Sequence, residues 1–78
     1  MKNDHVYLVN IESLSPDDRR EVERLLKTVS RMVTIRKNPL SFIVYTDYNS
    51  ELFRTLKLPS ECTWKDITGF DLLTLYNS

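Results

Sequence analysis

MVTIRK-NP-LSFIVYT, Met32 to Thr46, is the stretch on which the fold turns. Both flanks are rich in β-branched and aromatic side chains, which fit a pleated, half-buried surface. Between them Asn38-Pro39 supplies turn chemistry, since Pro39 has no backbone donor to give to a ladder. The stretch therefore reads as two short strands, Met32 to Lys37 and Leu40 to Thr46, joined across a tight turn.

Upstream, HVYLVNI (His5 to Ile11) has the same strand composition. Between it and Met32 lies a helix with several start signals. Ser15 is placed to cap, Pro16 has no N–H to leave orphaned in the first turn, and Asp17 and Asp18 favour the positive end of the dipole. Val22, Leu25, Leu26, Val29 and Met32 recur at steps of three and four, which puts them on one face. Arg20, Arg24, Lys27 and Arg31 align on the opposite side as a basic stripe.

Downstream, the polar residues from Asp47 to Ser50 cap a second helix through ELFRTLKL, with Leu52, Phe53 and Leu56 inward and Pro59 as its stop. ECTWKDIT reads as a strand or a single turn of helix. After the break at Gly69, FDLLTLY reads as the final strand. The order strand, helix, strand, strand, helix, strand predicts a single α+β domain over residues 1–78. Right-handed crossovers place both helices on one face of a four-stranded antiparallel sheet, a ferredoxin-like βαββαβ sandwich with the first and third strands central.

Composition narrows the function classes. Eleven basic residues balance eleven acidic ones, which disfavours coating nucleic acid by charge alone. The charge is nevertheless polarised: from Arg19 to Lys37 seven basic residues face two acidic ones, a local +5. Cys62 is the only cysteine, so an intrachain disulfide is impossible and a reducing, cytoplasmic setting is expected. With no charged-then-apolar leader and no apolar run near membrane-spanning length, the expectation is a soluble chain without a membrane partner. His5 has no cysteine nearby and only Asp4 as a neighbouring carboxylate, and Cys62 lacks an activating base in sequence. Paired-cysteine metal sites, glycine-rich phosphate loops and nucleophile elbows are missing. The chain is expected to be no enzyme and to use no cofactor or metal.

Side chains alternate along a strand, so register decides what the central strands display. In the first, Val6 and Leu8 oppose Tyr7, Val9 and Ile11; in the third, Ser41, Ile43 and Tyr45 oppose Leu40, Phe42 and Val44. Only one set of each can meet the helices.

VYLVNI resembles the first-strand ribonucleoprotein motif of RNA-recognition-motif domains: aliphatic, aromatic, aliphatic, any residue, Asn, aliphatic. NPLSFIVY is similar to the third-strand motif at Phe42, Ile43 and Tyr45, with a small residue at Ser41. It departs at Asn38, Pro39 and Leu40, where the family has a basic residue, a glycine and an aromatic. The resemblance implies that Tyr7 and Phe42 face away from the helices and stack on bases of single-stranded RNA. Stacking of roughly 1–3 kcal/mol per base would need help from phosphate contacts, for which Arg36, Lys37 and the stripe of Arg20, Arg24, Lys27 and Arg31 are the candidates.

The same register gives a competing reading. Tyr7, Val9, Leu40, Phe42 and Val44 would form an apolar open face, and such patches mark protein contacts. The leading expectation is thus a small non-catalytic module that binds a protein or a second copy of itself through this face, as a regulator or inhibitor would. Single-stranded RNA is the alternative ligand. The basic stripe has a plainer reading as a solvated helix face.

Overall fold

The computed structural model describes residues 5–69. Its elements are β1 (His5–Asn10), α1 (Pro16–Val29), β2 (Met32–Lys37), β3 (Leu40–Thr46), α2 (Ser50–Arg54) and β4 (Thr63–Asp66). Over these residues the fold is α+β, with two helices and one four-stranded antiparallel sheet in the order β2-β3-β1-β4. β1 and β3 are central. The two strands of the opening stretch have the bounds expected of them, and the Asn38-Pro39 peptide bond between them is cis.

α1 begins where its capping chemistry predicts. Ser15 Oγ accepts from the Asp18 amide at 3.2 Å, and Asp17 and Asp18 sit in the first turn. Val22 and Leu26 are buried and Leu25 and Val29 half-buried. Met32 departs from the helical face: α1 stops at Val29, and Met32 begins β2 with half its surface exposed. α2 is short. Asn49 Oδ1 accepts from the Leu52 amide at 2.9 Å, Phe53 is buried, Leu56 is half-buried, and Leu52 faces solvent at 51% exposure. Five residues present too narrow an apolar face to turn Leu52 inward together with Phe53.

The fourth strand comes from Thr63–Asp66, within ECTWKDIT. It pairs with β1 through Tyr7↔Asp66, Leu8↔Lys65, Val9↔Trp64 and Asn10↔Thr63. The strand expected over FDLLTLY, Phe70 to Tyr76, lies outside the described residues. No helix among the described residues is long and apolar enough to cross a membrane.

The core fixes the register. Tyr7, Val9 and Ile11 of the first strand segment and Phe42 and Val44 of β3 pack against Leu14, Val22, Leu26, Phe53 and Cys62. The pairs Tyr7↔Val44 and Val9↔Phe42 stand side by side on that face. Tyr7, Val9 and Val44 are fully buried, Phe42 is 5% exposed, and Leu40 is half-buried against the same cluster. The expectation that Tyr7, Val9, Leu40, Phe42 and Val44 form an open face is therefore overturned, because both helices lie on that side. The physical reason is the content of the two rows. The alternative row carries Asn10, and pressing its side-chain amide against Val22, Leu26 and Phe53 would leave its N–H donors short of partners. The chosen row brings two buried polar groups from the central strands, and both have partners: the Tyr7 hydroxyl donates to the Tyr48 carbonyl at 2.8 Å, and the Thr46 hydroxyl closes the end of β3.

Thr46 ties the two halves together. Buried at the end of β3, its Oγ1 donates to the Val29 carbonyl at 2.6 Å and accepts from the Tyr48 amide at 3.1 Å. One hydroxyl thus satisfies the last carbonyl of α1 and an amide on the approach to α2. The side of the sheet away from the helices is also closed at its centre: Ser41 and Ile43 are fully buried and Ile67 is 2% exposed.

Candidate functional site

Of the two residues proposed as a base-stacking platform, Phe42 is a core residue and Tyr7 belongs to an aromatic knot instead. Tyr7 stacks on Phe53 with ring centroids 4.2 Å apart and planes inclined by 22°, and Trp64 closes on both rings edge-on, at 5.4 Å from Tyr7 and 4.8 Å from Phe53. Pairs of this kind contribute about 0.5–1.5 kcal/mol each beyond the area they bury. Burial pushes the Tyr7 phenol above the ordinary tyrosine value, with the nearby Asp66 carboxylate adding to the shift and the Ser50 hydroxyl opposing it. Asp66 itself is held below the usual carboxylate value by the Thr68 hydroxyl and amide, with Ser50 a smaller contributor. A base cannot reach Tyr7 or Phe42 without displacing the helices.

The basic residues are placed unequally. Arg20, Arg24 and Lys27 are exposed along α1, and each has an acidic neighbour on its own helix: Asp17 at 3.7 Å, Glu21 at 3.4 Å and Glu23 at 3.1 Å. The stripe is a solvated face laced by exposed ion pairs, each contributing a few tenths of a kcal/mol. Arg31 is exposed just before β2, Arg36 is half-buried, and Lys37 is exposed at the end of β2. Arg19 has a structural role that its place in a charge run does not announce. Its guanidinium donates to the carbonyls of Ile11 at 3.1 Å and Glu12 at 3.2 Å, strapping α1 to the end of β1.

Among the described residues, a cleft of about 480 Å³ lies open between the first half of α1 and the β2–β3 edge. Ile11, Val33, Ile35, Leu40 and Phe42 supply apolar walls, and Arg19, Arg20 and Glu23 stand along α1. Ile35 is half exposed. It pairs with Phe42, so it stands on the helix side of the sheet, beyond the point where α1 covers the floor. Lys37 pairs with Leu40 and belongs to the same row. The cleft was missed because its residues come from four segments, none with a motif. The signal that could have found it is the strand alternation of Val33, Ile35 and Lys37 beside a helix whose apolar face starts only at Val22.

Chemistry finds little to work with. Among the described residues, no group of three His, Cys, Asp or Glu side chains could hold a metal ion. The Cys62 thiol is buried and free, and burial raises its pKa, away from the reactive thiolate. No protein-family model, curated protein or solved structure matches the chain.

Proposed function

We propose that this domain is a non-catalytic binding module for another protein, with the cleft between α1 and β2 as its contact. The carrying observation is the contrast in exposure along one row. Ile35 is 50% exposed beside an apolar cleft, whereas its paired neighbour Phe42 is nearly sealed. Half-exposed aliphatics next to a concave apolar wall are what a partner's side chains can cover. The centre of the opposite sheet face offers less, since Ile43 is fully buried.

The strand order and the position of both helices on one side support a ferredoxin-like sandwich as the finer description of the fold. Single-stranded RNA is the weaker ligand, because Tyr7 and Phe42, the two rings it needs, are core residues. A free, buried Cys62 suits a reducing intracellular compartment. A module this small, with one accessible cleft among its described residues of that size, suits a regulator or inhibitor that acts by occupying a partner.

Site-directed photo-crosslinking in the native host tests the reading. A photoreactive phenylalanine in place of Ile35 should yield a discrete protein adduct, and the same group in place of Lys65, exposed on the other face, should not. Equal labelling from both positions, or none from position 35, removes the cleft from consideration.

A further inference from the structure

We infer that the occupant of the cleft is an extended, acidic segment of a partner protein that adds to the edge of β2. This rests on the protein-binding reading above and specifies the partner's form and charge.

Among the described residues β2 pairs only with β3, so its outer side offers backbone donors and acceptors to an added strand. A strand laid there sends alternate side chains to the helix side. On that side it meets Val33, Ile35 and Lys37 in one row, with the cleft floor of Leu40 and Phe42 behind them. An aliphatic side chain of the added strand covers Ile35 and enters the cleft, and an acidic one further along meets Lys37.

The charge of the rim selects the partner. The Arg20 side chain is 72% exposed and pairs with the 94% exposed Asp17 at 3.7 Å, a contact that an incoming carboxylate can replace. Glu23, the acidic residue of the rim, is already engaged by Lys27 at 3.1 Å. Arg20 and Lys37 therefore present net positive charge at the two sides of an apolar slot. A second copy pairing edge to edge would bring the same cations onto the same seam, and an acidic partner would neutralise them.

Two blocked twelve-residue peptides, repeats of Val-Thr-Glu-Thr and of Val-Thr-Lys-Thr that set valine and the charged residue in turn along one face of a strand, probe this directly. Each is titrated into the full-length, isotope-labelled chain while amide shifts are followed. The valine–glutamate peptide should shift the β2 amides and bind at least about tenfold tighter than its lysine counterpart, a difference of about 1.4 kcal/mol. Arg20→Glu with Lys37→Glu, both at exposed positions, should reverse the preference while the amides of β1 and β4 stay in place. A glutamate peptide N-methylated at every second residue, on the side that would face β2, should lose binding. Equal affinity for both charges, shifts away from β2, or no shifts up to millimolar peptide overturns the inference. So does a dimer in sedimentation that Ile35→Glu dissociates. If the peptides fail while the crosslink at position 35 persists, the cleft still binds protein, but not as an acidic strand.

Discussion

Tyr7 and Ile35 both sit on the helix side of the same sheet, and their fates are opposite. Tyr7 is sealed between Phe53 and Trp64 with its hydroxyl satisfied by a backbone carbonyl, and Ile35 stands half in solvent at the rim of a cleft. The difference is one of position. β1 is central and lies under both helices, and β2 is an edge strand of the described sheet that α1 only partly covers. Residue type alone therefore ranks the two wrongly: the amphipathic tyrosine is core, and the purely aliphatic isoleucine is surface. On this side of the sheet the helices seal the central-strand ring and leave the edge-strand isoleucine half exposed.

The sharpest way to break that comparison is to empty the knot. Phe53→Ala should cost about 3–5 kcal/mol, a large share of the roughly 4–12 kcal/mol expected of a chain this size, and urea unfolding should show the midpoint falling steeply. Ile35→Glu should move the same midpoint by no more than about 0.5 kcal/mol. Comparable losses at both positions would mean that the edge is part of the core.

Thr46→Val comes next. It keeps the shape and strands the Val29 carbonyl and the Tyr48 amide without their shared hydroxyl. The expected loss is about 1–3 kcal/mol, and faster exchange of the amides at the end of α1 should accompany it.

Tyr7→Phe should lose about 1 kcal/mol at neutral pH, the worth of one hydrogen bond. Its pH signature is more telling. Burial raises the phenol's pKa in the folded state, so the unfolded chain releases that proton first. The stability from the neutral phenol is complete below the ordinary tyrosine value of about 10 and falls as pH climbs from there toward the folded value. The alkaline limb of the wild-type stability curve should be steeper than that of Tyr7→Phe, and equal limbs would place the hydroxyl in solvent.

The smallest effect belongs to Asp66. Hydrogen bonds from Thr68, with Ser50 lesser, lower its pKa in the folded state. Its contribution is present above the ordinary aspartate value and disappears as pH falls through the lowered one. Asp66→Asn should flatten the acid limb of the curve slightly, as read by thermal melts across the acid range, with little change above neutrality.

Much of the architecture is legible in the sequence. The bounds of β2 and β3, the Ser15-Pro16 start of α1 and the central place of β1 and β3 follow from turn chemistry, capping and the order of elements, all short-range signals. Tail assignment was weaker, because TWKD is only four residues long and lacks a period of its own. The site was hardly legible. VYLVNI matches a binding motif residue for residue, yet a match of types along a strand is blind to a rotation that exchanges its two faces.

The chain by itself determined which segments become strand or helix, where they cap and turn, and that its polarised charge gathers between Arg19 and Lys37. Tertiary structure alone decided which face of the sheet the helices cover, and with it whether Tyr7 binds or supports. Backbone propensity is local, but the choice between two faces of a strand is made by packing. Val22, Leu26 and Phe53 bury the row that leaves Asn10 and Ser41 on the other side, and that comparison exists only once distant segments meet.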